Sequence, residues 1–595
     1  MDSSGASSSL PKWQLALAVG APVALGLGYM YYRNCNPNDD KASKKHNRLV
    51  KENGEKQISI DGDATGKTGN ASIKKEQSPL EKAIHYKDEG NKFFNSGKFD
   101  EAIAQYNSAI EVCPQDSPDI LATFYQNRAA AYEKLKKLSA VKADCTTALK
   151  LKPQYVKALI RRARAMESSN DLETALEDIT AACILERFQN QSTLLTADKI
   201  LKQLGKHHAQ EYMKTKVPIM PSKHFINTYF MTFQNDPFAK EEVNEENKTP
   251  YHKALEALRM QQYDDIIPLC NEELNTLAAD DNSLHKMKVI LLRGTFYLLM
   301  GLHEEASKDL NAVVNSDISS NDLKVNALIK RASMHVQLED PEKSFDDFQL
   351  AENIDPNLGD IYHNRGQVNG KFFTFYEEVC IIIHCLFFLH LKVHLLMEKV
   401  DEAKADFQKA VDLNPNFGVP YVQKCYADYR YGVSKNDMNL VNSAMTNFQK
   451  AFEKFPDCAE CYTLYAQMLV DHRDLTKADA YFVKAAKRDP ENATILVYRG
   501  LLQLQSSNDI EKAVEYMQKA IELDEKCEFA YETLGTVEVQ RGNLSEAISL
   551  FDKALALART FLELTHIFSL RDAAKAQIVV SDRLGEDIIR SLQHC

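Results

Sequence analysis

Tryptophan occurs once in 595 residues, glycine 22 times and proline 18 times. So thin a supply of turn and breaker residues argues against a chain of many short strands joined by tight turns. Runs of alternating β-branched residues are also missing, which removes the usual basis for a sheet. Positive charge is not in excess: the net charge is −12, which argues against general nucleic-acid binding. The twelve cysteines follow no framework spacing. Cys458 and Cys461 form a single CxxC, but no second pair or nearby histidine completes a metal site, so buried free thiols in a reducing compartment are expected. GDATGKTG at residues 62–69 lacks the glycine spacing and preceding apolar strand of a phosphate loop. No serine–histidine–acid set or metal-ligand cluster stands out, so neither an enzyme nor a bound cofactor is expected.

What is abundant is Ala, Leu, Lys and Glu, a composition that favours helix. The first apolar feature is Trp13 to Tyr32 (WQLALAVGAPVALGLGYMYY), an uncharged run long enough to cross a bilayer as one helix. Pro22 interrupts it, which lipid-embedded helices tolerate. A cleaved secretory signal would end in a small-residue site, whereas this run ends in aromatic residues and Arg33. Trp13, Tyr29, Tyr31 and Tyr32 stand at its ends, where amphipathic rings anchor a helix at the interfaces. Lys12 alone precedes it, while Arg33, Lys41, Lys44, Lys45, Arg48 and Lys51 follow, so the bulk of the chain is expected in the cytosol. Gly20, Ala24 and Gly28 would let two such helices approach closely, which makes a homodimer an expectation. The polar, aperiodic stretch that follows reads as a flexible linker.

From Lys82 onward the chain repeats with a period near 34 residues. Gly90, Phe93, Ala102, Tyr106, Ala109 and Pro114 set the first unit. Small residues recur at Ala129 and Ala148, Ala163, Ala175 and Ala182, Gly294 and Ala306, Ala332 and Ala351, and on through Ala410, Ala444, Ala466, Ala478, Gly500, Ala513, Gly535, Ala547 and Ala554. The spacing is that of the tetratricopeptide repeat, so the predicted fold is all-α: a tetratricopeptide-repeat α-solenoid, wound as a superhelix with a concave binding surface, behind one N-terminal transmembrane helix. The expected order is a tail (1–12), the anchor (13–32), the linker (33–80), a three-repeat domain (81–188), connecting helices (189–247) and a C-terminal array (248–595). In that array the two small residues of one unit, Gly366 and Ala403, lie 37 positions apart instead of twelve. Removing the 25 residues 370–394 (GKFFTFYEEVCIIIHCLFFLHLKVH) restores the phase, so the segment reads as an insert from a splice variant or retained intron. A second membrane span is the competing reading, but it carries two internal histidines and would cut a repeat in half.

Five polar residues stand out against the repeat frame. Lys87 and Asn91 are one turn apart on the first helix of unit one, Asn127 lies on that helix of unit two, and Lys157 and Arg161 are one turn apart on that helix of unit three. Residues four apart share a helix face, and the first helices line the groove of such an array, so all five are expected to converge there. Cations and amide donors without a nucleophile or base suit reversible capture of two neighbouring carboxylates at a peptide's C-terminus, at roughly 1.5–3 kcal/mol per charge-assisted bond.

These five residues resemble the two-carboxylate clamp of chaperone-binding tetratricopeptide proteins. Anchor, clamp repeats and long array together resemble the seventy-kilodalton class of import receptor in the mitochondrial outer-membrane translocase. FQNQSTLLTADKILKQLGK, CAECYTLYAQ, GLLQLQ and CEFAYETLGTVEVQRGN carry that likeness from about Lys82 to Gln577. The resemblance implies docking of the cytosolic seventy- and ninety-kilodalton heat-shock chaperones through their acidic C-termini. It further implies binding of hydrophobic preproteins such as inner-membrane carriers in the C-terminal array, contacts with other translocase subunits, and residues 1–12 in the intermembrane space. The preprotein-binding residues stay unassigned. A chaperone adaptor at another membrane, such as the endoplasmic reticulum, and a scaffold for folded partners are the alternatives.

Overall fold

Helix begins where the sequence supplies a cap. In the computed structural model of the chain, Ser78 Oγ accepts from the Glu81 N–H (3.3 Å) and the Glu81 carboxylate accepts from the Ser78 N–H (2.9 Å), which satisfies two otherwise orphaned groups. Pro79 opens the helix, where its missing N–H costs nothing. The structure describes residues 78–239, 241, 249–278, 283–368, 389–507 and 509–585. The expected anchor, residues 33–77 of the linker and residues 370–388 of the insert lie outside them. Among the described residues all regular structure is helical, and no helix is long and apolar enough to cross a membrane.

Six helices pair into three successive hairpins: α1 (Pro79–Asn95) with α2 (Phe99–Val112), α3 (Pro118–Lys134) with α4 (Leu138–Leu151), and α5 (Val156–Glu167) with α6 (Leu172–Leu185). Each hairpin turns through one residue with positive φ, two positions before the second helix: Gly97 (78°), Lys136 (56°) and Asn170 (61°). Gly97 and Asn170 have residue types that tolerate this conformation; Lys136 bears a local cost of roughly 1–2 kcal/mol. The close approach is set by small residues. A Cβ on Gly90 would stand 2.6 Å from Tyr106 Cε1, while Ala102, Ala129, Ala148, Ala163, Ala175 and Ala182 are fully buried.

A second recurrent contact fastens the hairpins. Arg128 on α3 donates from Nε and Nη2 to both carboxylate oxygens of Asp144 on α4 (2.8 and 2.6 Å), and from Nη1 to Asn107 on α2 (2.7 Å). One planar guanidinium thus ties its own hairpin together and holds the preceding helix. Arg162–Asp178, Arg293–Asp309 and Arg331–Asp347 repeat the fork, each 16 residues apart. In all four the second helix starts six residues before its Asp.

The described residues form two compact units. One comprises 78–205, 539–544 and 569–585. Its core joins α3 to α6 through Ala148, Leu159, Ala181 and Ala182 and takes in Val580 and Leu584 from the last helix, Phe561–Leu584. Arg583 Nη1 donates to Asp178 at 3.0 Å, so this fully buried carboxylate accepts from two guanidiniums.

The other unit comprises 206–538 and 545–568. Helices continue there as antiparallel pairs, from Leu284–Leu299 with His303–Asn315 to Ala493–Ser507 with Ile510–Leu523. The pair Pro250–Arg259 and Ile266–Thr276, turning at Gln261 (φ 57°), carries no small-residue signature of the kind used above and adds to the units read from sequence. Lys330, on the helix Asn321–Gln337, is completely buried here. Its Nζ donates to Thr295 Oγ1 (2.9 Å), lies 5.2–5.6 Å from the ring centres of Phe230, Phe233 and Phe238, and is 4.0 Å from Asp236. Burial brings its pKa down to about 8 from the ordinary 10.5. Below pH 8 the amine is protonated in both folded and unfolded chains, and folding bears the full cost of a buried cation. Between pH 8 and 10.5 the folded chain sheds the proton first, so stability is regained as pH rises. Relative to Lys330→Met, which lacks this titration, wild type should therefore gain about 2–3 kcal/mol of stability between pH 7 and pH 10. Parallel melts of the two proteins across that range check it; a constant difference would contradict a buried ammonium.

The unit holding the unusual segment keeps the repeat contacts at a changed spacing. Arg365 Nε and Nη2 donate to both oxygens of Asp406 (2.9 and 2.8 Å), 41 residues away, which is 25 more than in the other forks. A Cβ on Gly366 would meet Phe407 at 2.8 Å, as one on Gly535 would meet Phe551 at the usual spacing of 16. The second helix, Leu389–Leu413, starts 17 residues before Asp406 instead of six, so helix runs through the place where the other hairpins turn.

Candidate functional site

The five residues expected to capture carboxylates fall on the first helices of the three N-terminal hairpins: Lys87 and Asn91 on α1, Asn127 on α3, Lys157 and Arg161 on α5. Ala83 and Gly90 are buried on α1, Phe124 and Ala129 on α3, and Ala158 and Ala163 on α5. The five polar residues fall on the remaining face and are half-buried or exposed, Lys157 most of all.

The structure brings the two amides together. Asn127 Nδ2 donates to Asn91 Oδ1 at 3.3 Å, and the Tyr106 hydroxyl donates to the same oxygen at 2.8 Å. Burial pushes Tyr106 up to about 12, so it stays a donor at any physiological pH. With Oδ1 accepting twice, the donor edge of the Asn91 amide is turned the other way, the orientation an anion requires. Tyr106 thus positions Asn91; sequence periodicity reads it only as core.

Two of the three cations are already paired with acids. Arg161 Nε donates to Glu133 Oε2 at 2.8 Å and its Nη1 reaches the Gln126 carbonyl at 3.4 Å, both on α3. Lys87 Nζ lies 2.7 Å from the neighbouring Asp88 carboxylate. An incoming carboxylate must therefore share or displace these acids, which lowers its net gain below that of two free cations. Arg162, next to Arg161 in sequence, has its guanidinium committed to Asp178 and Thr146, which sets it apart from Arg161. Asn91 and Asn127 bond each other across α1 and α3, and Arg161 on α5 reaches α3 at Gln126 and Glu133, whereas Lys87 and Lys157 are brought to the same helices without such a bond. Two of the three cations are paired with acids in the same way, and sequence spacing gives no sign of Glu133 because it faces Arg161 from another helix. Among the described residues no group of three or more His, Cys, Asp or Glu could hold a metal ion.

Comparison with known proteins agrees with this architecture. Family models of the tetratricopeptide repeat match residues 90–136, 122–155, 386–417 and 466–526. The mitochondrial import receptor subunit TOM70 of Rattus norvegicus is 41% identical over 602 residues, spanning 97% of this chain and 93% of the relative. The protein of the same name from Homo sapiens is 41% identical over 599 residues with the same coverage. Among solved structures, the crystal structure of the yeast Tom70 is 24% identical, spans 86% of this chain and 98% of that one, and superposes with a TM-score of 0.48.

Proposed function

We propose, for a chain that belongs to the TOM70 family of mitochondrial import receptors, that its three N-terminal hairpins dock cytosolic chaperones while its longer array receives the preprotein. The observation that carries the docking half is the joined pair Asn91 and Asn127, with Arg161 reaching α3 beside it. Lys87, Asn91, Asn127, Lys157 and Arg161 form a groove of donors that accepts the last two carboxylates of a seventy- or ninety-kilodalton heat-shock chaperone. It supplies no base or nucleophile, so the bound end is released unchanged.

Residues 13–32 anchor the receptor as a single pass in the mitochondrial outer membrane, with the repeats in the cytosol and other translocase subunits as neighbours. Gly20, Ala24 and Gly28 offer a face for a homodimer. Residues 1–80 fused to a fluorescent protein test the address: a mitochondrial rim is expected, and a reticular pattern overturns it. A carrier precursor bearing a photo-crosslinker, offered to the full chain, is expected to label the array within 248–585; labelling confined to other residues contradicts the division of labour.

Residues 370–394 are an insert in a repeat that closes without them. The support is the fork Arg365–Asp406 at 25 residues beyond the usual spacing. A chain lacking 370–394 should fold cooperatively, melt no lower than the intact chain and still crosslink the precursor. A deletion that fails to fold would show that the segment belongs to the repeat.

A further inference from the structure

One pair of cysteines sits at the start of a helix. Cys458 caps the helix Ala459–Asp471 with extended backbone (φ −76°, ψ 101°), and the Cys461 N–H donates to the Cys458 carbonyl at 3.1 Å, closing one turn between them. Cα atoms three apart on a helix lie about 5 Å apart, within the span of roughly 4.4–6.8 Å that a disulfide bridges. The two differ in setting. Cys461 is fully buried in a core with Val422, Cys425, Phe455 and Tyr465, while Cys458 lies at the edge of that core, half-buried.

The neighbouring Cys461 thiol holds Cys458 below the ordinary thiol range. The Cys458 thiol, followed by burial, raises Cys461. The helix N-terminus favours negative charge at Cys458 as well. Elsewhere, burial pushes the thiols of Cys145, Cys183, Cys270 and Cys425 up to about 12, which leaves them protonated and shielded.

We propose that Cys458 and Cys461 form a reversible dithiol–disulfide pair, with Cys458 the attacking thiol, Cys461 the resolving thiol and a low-molecular-weight disulfide such as oxidised glutathione the oxidant. Cys458 Sγ, as thiolate, attacks one sulfur of that disulfide. Its S–S bond breaks, a mixed disulfide forms on Cys458, and the leaving thiolate takes up the proton Cys458 gave away. Cys461 then loses its proton and attacks Cys458 Sγ, and the second thiol departs with that proton. The protein loses two hydrogens and the oxidant becomes two thiols. In a reducing compartment the pair rests as the dithiol and responds when the thiol balance shifts.

The test equilibrates the full chain in buffers of stepped reduced-to-oxidised glutathione ratio, quenches it in acid, alkylates it and weighs the tryptic peptide 455–473, which holds both cysteines and no other. A loss of two hydrogens along a single sigmoid is expected, with Cys145, Cys270 and Cys425 still alkylated as thiols. Cys461→Ser should instead trap glutathione on Cys458, at least tenfold above wild type at the same ratio. Two free thiols at every ratio would overturn the proposal, as would a wild-type reaction that stops at the glutathione adduct. Joint oxidation of the deeply buried cysteines would also overturn it, since the reactive species would then be an unfolded chain.

Discussion

Arg161→Ala should weaken binding of a peptide ending in Glu-Glu-Val-Asp by about 10- to 100-fold. In the proposed docking mode the planar guanidinium donates to the peptide's carboxylate, and its loss removes one charge-assisted hydrogen bond of about 1.5–3 kcal/mol. Part of that gain is offset in the intact protein because Glu133 already accepts from Arg161 Nε at 2.8 Å. Removing the acid should therefore act in the opposite sense: Glu133→Gln keeps the shape, frees the fork and should tighten the same peptide a few-fold. A fluorescence titration of both variants checks the pair of signs. If both lose affinity, Glu133 positions Arg161 instead of competing for it. Arg162→Ala supplies the contrast, since its partners are Asp178 and Thr146 and its loss should act on stability.

The largest stability effect is expected at Asp178. It is fully buried and accepts from Arg162 Nε and Nη2 at 2.5 and 2.7 Å and from Arg583 Nη1 at 3.0 Å. Asp178→Ala leaves two guanidiniums without their anion, at a cost of about 3–5 kcal/mol. For a unit of this size that corresponds to a melting transition lowered by roughly 10 °C. The change should also release the end of the last helix, seen as faster amide exchange over 575–584 in a chain whose 284–354 helices keep their protection. A melt within 1–2 °C of wild type would show the carboxylate to be dispensable, as solvent-exposed ion pairs are.

The repeats were readable because their signal is steric and periodic. Gly90 must be small where Tyr106 presses on it, and the same demand recurs along the array. The hairpin turns were not readable for the converse reason: Lys136, Asn170, Glu339 and Arg473 adopt positive φ without being glycine, so composition does not mark them. The Arg–Asp forks lie in plain sight at a spacing of 16, but the spacing joins two helices, so no period within one element marks it. Once seen, it measures the insert independently of the small residues, through Arg365 and Asp406. In the groove, residue type and i, i+4 spacing pick out Lys87, Asn91, Lys157 and Arg161. What they miss are the partners across helices, Tyr106 on Asn91 and Glu133 on Arg161, because tertiary packing alone brings these together.

Chaperone docking as proposed rests on recognition of carboxylates at a chain end. The most direct measurement is a calorimetric titration of the full chain with a peptide ending in Glu-Glu-Val-Asp and with the same peptide amidated at its C-terminus. Saturable binding of the free acid is expected, with at least ~10-fold weaker binding of the amide, the loss of about one charge-assisted bond. Equal affinity for the two peptides would contradict it.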